Sequence, residues 1–100
     1  MRYKFPIKKV KNWYALEISC AKCKTPIAIY QKAGKGNLIK MQFHRIIEAQ
    51  NDIKNIPGHL ICHKCDNILG NRGKYKNKDT FWIVRGQINT QVLRNYKYKK

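Results

Sequence analysis

Four cysteines form the one set of residues in this chain whose type and spacing point to defined chemistry. Cys20-Ala21-Lys22-Cys23 and Cys62-His63-Lys64-Cys65 are two Cys-x-x-Cys motifs with 38 residues between them, and no fifth cysteine is left over. A two-residue gap lets one tight turn aim both sulfurs at one point. Two such turns supply the four soft, deprotonated ligands of a tetrahedral Zn²⁺ site. Lys22, Lys24 and Lys64 lie beside the sulfurs, where positive charge favours thiolate. Four thiolates complete the shell and leave no position for an activated water, so the expected zinc is structural. Iron suits a four-thiolate site as well, and the spacing does not separate the two metals. Two disulfides fit poorly with a chain lacking a secretory signal, and a thioredoxin-like redox pair would open a helix in a βαβ unit that this pattern lacks.

Little else has the makings of a catalytic site. The acids are Glu17, Glu48, Asp52, Asp66 and Asp79, and the histidines are His44, His59 and His63. They show no Ser/His/Asp order, no paired-carboxylate motif and no open-site metal pattern. His63 and His59 read as bystanders of the metal site, and His44 as a surface residue. Gly34-Lys35-Gly36-Asn37 lacks the Gly-Lys-Ser/Thr ending of a phosphate-binding loop and reads as a turn. The expectation is a binding module and not an enzyme.

The elements that must carry the cysteines read as short strands. In 13–19, Tyr14, Leu16 and Ile18 alternate with Ala15, Glu17 and Ser19, the period of a half-buried strand. Residues 26–32 give a second strand and 38–45 a third, so 26–45 is expected to form a β-hairpin about the turn at 34–37. Residues 48–58 read as a loop with at most one helical turn, 59–62 and 67–69 as short strands around the second cysteine pair, and 70–78 as a basic loop. Residues 81–85, rich in aromatic and β-branched side chains, read as the last and buried strand, with Trp82 in the core. The expected class is mainly β, with small antiparallel sheets joined by one metal site. The expected layout is a basic N-terminal segment at 1–12, a zinc-binding β domain at 13–86 and a basic tail at 87–100.

Two Cys-x-x-Cys knuckles set in some forty residues of β-structure resemble the β-tent zinc folds. That group includes Yippee-type domains, Rab-binding accessory factors, methionine-R-sulfoxide reductases and the RNA-end-sensing C-terminal domains of RIG-I-like receptors. The spacer also suits an extended zinc ribbon, and the two architectures stay open. Zinc knuckles often carry Gly after the second cysteine; here those positions are Lys24 and Asp66. The reductases need a further, nucleophilic cysteine, so the resemblance does not imply their activity here.

Charge points to the partner. Twenty-two Lys and Arg against five acids give a formal net charge of +17 on 100 residues. Self-repulsion on this scale opposes compaction, and a polyanion relieves it. Cations interleave with aromatics at Lys8, Lys9 and Lys11 before Trp13, at Arg72, Lys74, Tyr75, Lys76 and Lys78, and at Arg94, Tyr96, Lys97, Tyr98 and Lys99. Lysines suit phosphates and flat rings suit exposed bases, so nucleic acid is the expected partner. RNA is favoured over DNA because no helix is evident for a duplex major groove. A large ribonucleoprotein would present the same chemistry, and the alternative is an adaptor docking on an acidic protein. No apolar stretch approaches the roughly 20 residues of a membrane span, and with no secretory signal the expected location is the cytoplasm.

Structural zinc contributes about 10–16 kcal/mol of apparent folding free energy, against a typical net stability of about 5–15 kcal/mol. Chelation should therefore unfold the chain. A metal-stripped sample that keeps a folded circular-dichroism spectrum would contradict this.

Overall fold

The computed structural model describes residues 3–7 and 10–97. Nine strands follow one another: β1 (Tyr3–Lys4), β2 (Tyr14–Cys20), β3 (Pro26–Lys32), β4 (Lys40–Gln42), β5 (Ile46–Ala49), β6 (His59–Ile61), β7 (Ile68–Tyr75), β8 (Lys78–Ile83) and β9 (Ile88–Leu93). Two single 3₁₀ turns, Phe43–Arg45 and Ile53–Asn55, are the only helical segments among the described residues. Among those residues no helix is long and apolar enough to cross a membrane.

The strands form two antiparallel sheets, one of five in the order β1-β5-β3-β2-β9 and one of four in the order β4-β8-β7-β6. Each sheet contains one knuckle hairpin, β2–β3 around Cys20 and Cys23 and β6–β7 around Cys62 and Cys65. Period-2 alternation decides what lies between the sheets. Ile18, Ala28, Tyr30 and Ile46 from the first join Met41, Leu60 and Phe81 from the second in one buried cluster. The central strand β3 is buried through five consecutive residues because its other face is also covered. There Ala15, Ile29 and Ile47 form a smaller cluster under Ile7, Trp13, Leu93 and Tyr96. The sheets are also joined by a polar link, the Gln42 backbone N–H donating to the buried Tyr30 hydroxyl at 3.0 Å. Burial raises the pKa of that hydroxyl and keeps it neutral.

Several expectations need correction. Residues 26–45 do not form a hairpin: β3 lies between β2 and β5, whereas β4 crosses to the other sheet and pairs with β8, Met41 opposite Phe81. Alternation fixes which face a residue occupies but not which strand lies alongside. Residues 70–78 are not a loop. Strand β7 runs on to Tyr75 and turns tightly into β8 through Lys76 and Asn77, with φ of +50° and +64°. Two consecutive left-handed residues are what a tight hairpin turn requires, and lysine hides that signal. The segment after Gly86, expected as a tail, supplies β9, which pairs with β2 along six residues from Ala15↔Leu93 to Cys20↔Ile88. As an exposed edge strand bearing Asn89, Thr90 and Gln91 it has almost no apolar periodicity to read. Tyr3–Lys4, in the expected N-terminal segment, likewise pairs with β5.

Phe81 is fully buried and Trp82 is 38% exposed, the reverse of the expected core role for Trp82. Adjacent residues of one strand point to opposite faces, so both rings cannot enter the core. Phe81→Ala should cost about 3–5 kcal/mol in urea unfolding with Zn²⁺ present, and Trp82→Ala markedly less. Equal losses would place the indole inside.

Candidate metal centre

Both cysteine turns are built alike. Lys24 N–H donates to Cys20 C=O and Asp66 N–H to Cys62 C=O, each at 2.9 Å. Cys20 N–H donates to Thr25 C=O at 3.0 Å and Cys62 N–H to Asn67 C=O at 2.8 Å. Lys24 and Asp66 are left-handed, at φ +65° and +62°, so both knuckles keep the backbone for which glycine is usual.

The turns bring the four sulfurs within 4.8 Å of one another. The nearest pairs lie across the knuckles, Cys20 Sγ to Cys65 Sγ at 3.6 Å and Cys23 Sγ to Cys62 Sγ at 3.5 Å. Tetrahedral coordination with bonds of about 2.3 Å places sulfurs about 3.8 Å apart, so the set fits one ion with small adjustments. All four cysteines are free of disulfides. They form the one group of three or more potential metal-ligating side chains among the described residues. His63 lies exposed within the second knuckle and outside that group. Cys20 and Cys62 are buried, Cys23 is half-buried and Cys65 is exposed.

The sulfurs titrate as a set. Hydrogen bonds from Thr25, whose hydroxyl lies 3.0 Å from the sulfur, pull Cys23 down to about 6. Burial pushes Cys20 up, but backbone N–H groups of Cys23 and Lys22, with Cys65 and the Asn67 amide, bring it below its ordinary value. At Cys65 the Asn67 backbone N–H lowers the pKa, yet burial and the neighbouring sulfurs outweigh it and carry the thiol up to about 12. Thiolates packed this closely cannot all ionise unaided; a divalent cation at their centre lets them.

The cations expected to meet nucleic acid fall into separate groups. Arg72 donates to Lys54 C=O and Ile56 C=O, lies over the Phe43 ring and pairs with Asp79. Lys74 donates to Asp79 at 2.6 Å, and that bond first, then the nearby cations, holds the Asp79 carboxyl below its usual range. Tyr75, Lys76 and Lys78 cluster at the β7–β8 hairpin, with Lys76 Nζ 5.4 Å from the centre of the Tyr75 ring. Lys11, Arg94 and Lys97 are exposed near the five-stranded sheet. Tyr96 packs on the smaller cluster and donates its hydroxyl to Glu48, a structural contact. Lys8, Lys9, Tyr98 and Lys99 lie outside the described residues. Sequence reasoning missed two members of the hairpin group, Trp82 and Lys40. Tyr75 stands edge-on to Trp82, ring centres 6.0 Å apart, and Lys40 Nζ lies 4.3 Å from the centre of the Tyr75 ring. The signal that could have found Trp82 is its place next to Phe81 in an alternating strand.

Comparisons with protein-family models, with curated proteins and with solved structures find no match to this chain. The fold and site define a small all-β chain of two antiparallel sheets with four clustered cysteines able to hold one metal ion.

A left-handed lysine costs about 1–2 kcal/mol, of which glycine's extra chain entropy returns part. Lys24→Gly should therefore stabilise the Zn²⁺-saturated chain by up to about 1 kcal/mol in denaturant titration. A loss of stability would mean that the Lys24 side chain, which donates to Ala21 C=O at 3.0 Å, outweighs backbone relief.

Proposed function

We propose that this chain is a zinc-stapled module that binds single-stranded nucleic acid, RNA in preference to DNA. Zinc is the ion we assign to the four cysteines, because a closed four-thiolate shell suits a tetrahedral ion with no redox chemistry of its own. Of the two architectures the cysteine spacing resembles, the β-tent better suits two sheets that each carry one knuckle. The ion's role in this reading is to hold the two sheets together, and no catalytic step is assigned to the chain.

The observation that carries the reading is how the few acids are disposed. Asp79 is tied to Lys74 and Arg72, Asp52 accepts from the Asn55 amide at 2.6 Å, and Glu48 accepts from Tyr96. Glu17 and Glu48 both lie opposite Ile29 in the register, on the five-stranded sheet's outward side. Most of the positive charge is thus left without an internal counter-charge, and a polyphosphate chain supplies one. Single strands fit better than duplex because the described chain offers strands, turns and exposed rings, and no helix to enter a major groove.

Affinity for a single-stranded oligonucleotide should fall steeply with salt, log K dropping by about 0.7 per unit of log salt for each phosphate neutralised. A flat response, or passage through heparin without retention, would defeat the reading. A partner that survives digestion of RNA and DNA in a pull-down would favour an adaptor for an acidic protein instead.

A further inference from the structure

The two sheets differ on their outward sides. That of the five-stranded sheet is partly covered by Trp13, Leu93 and Tyr96. The four-stranded sheet's outward side carries the cross-strand row Lys40–Trp82–Asn71–His59, in which Trp82, Asn71 and His59 are all exposed. No strand residue on this side is acidic: Asp79, the one acid in these four strands, alternates to the side of Phe81.

Trp82 is held there by a specific fit. A Cβ on Gly73 would lie 2.9 Å from both Cδ1 and Nε1 of the indole, so the ring rests where only glycine leaves room. Tyr75 stands at 77° to it, forming a two-walled aromatic corner, and Lys40 and Lys76 lie near the Tyr75 ring. Lys40 also lines a neighbouring cavity of about 130 Å³ with Lys32 and Arg45. That cavity has no acidic lining residue, and the buried Nε of Arg45 has no hydrogen-bond partner.

Building on the reading above, we infer that this sheet face is the binding site: an unpaired base stacks on Trp82 within the Tyr75 corner, and an adjoining phosphate enters the Lys32–Lys40–Arg45 cavity. Each half supplies what the other lacks. The ring recognises any base by its flat face, and the cavity offers an anion three cations, Lys32, Lys40 and Arg45. Lys40, placed in the row beside Trp82 and in the cavity wall, joins them.

The test uses the Zn²⁺-saturated full chain with oligouridylate and, as a probe of charge alone, inorganic polyphosphate. Oligouridylate should quench Trp82 emission, read against a Trp82→Phe control that reports Trp13, and polyphosphate should bind without that quenching. Trp82→Ala should weaken oligouridylate by about 5- to 150-fold and leave polyphosphate affinity unchanged, with Trp82→Phe recovering part of the loss. Arg45→Gln should flatten the oligouridylate salt slope by about 0.7, one phosphate's worth. Salt-sensitive binding without Trp82 quenching, or with Trp82→Ala at full affinity, overturns this site while sparing the general reading. Absence of any oligonucleotide binding overturns both. An unchanged slope in Arg45→Gln removes the phosphate half of the proposal.

Discussion

The sulfurs of Cys20 and Cys23 come from one sheet and those of Cys62 and Cys65 from the other, and they meet within 4.8 Å. Four sulfur atoms at that separation are an electrostatic problem when ionised and a weak hydrogen-bonded knot when not. A cation held at their centre would turn the repulsion into a strong local attraction. Both sheets converge on that cluster. Cys20, the last residue of β2, and Cys62, the residue after β6, are buried in the same cluster as Ile18, Leu60 and Phe81, so the centre and the core share one wall. With a net charge of +17 pushing outward and strands of two to eight residues, a tie between the sheets does what extra core would do in a larger domain.

The parts of this fold that the sequence makes legible are those governed by local rules. The cysteine turns are readable because ligand geometry demands their spacing, β2 because its alternation is strong, and β3 because its apolar run from Ile27 to Tyr30 closely follows a turn. Pairing between distant strands left no such mark. Nothing in 38–45 announces that Met41 faces Phe81 forty residues on, and β9 is an edge strand whose middle residues, Asn89, Thr90 and Gln91, are polar and exposed. Phe81 and Trp82, aromatic and adjacent, look equally fit for a core, and only the register of β7 against β8 says which turns outward.

Lys24 and Asp66 make a related point about local rules. Departure from glycine after each second cysteine suggests a weaker likeness to zinc knuckles, yet both residues take the left-handed backbone and make the same turn hydrogen bond. The geometry is imposed by the sulfurs that must converge, and the residue type adjusts its energy without changing its shape. Asp tolerates that conformation better than most side chains, since its short polar group bonds locally.

The path of the chain has a consequence for how the molecule comes apart. It lays down β1 to β3 in one sheet, crosses for β4, returns for β5, crosses again for β6 to β8 and comes back for β9. Neither layer is therefore a contiguous piece of polypeptide, and a cut in any inter-layer connection divides the five-stranded sheet, while a cut on either side of β5 divides both. Such interleaving disfavours partial melting of one layer while its neighbour persists, and places most of the entropic cost of assembly before any layer is whole. The molecule should behave as an indivisible cooperative unit, slow to form for its size.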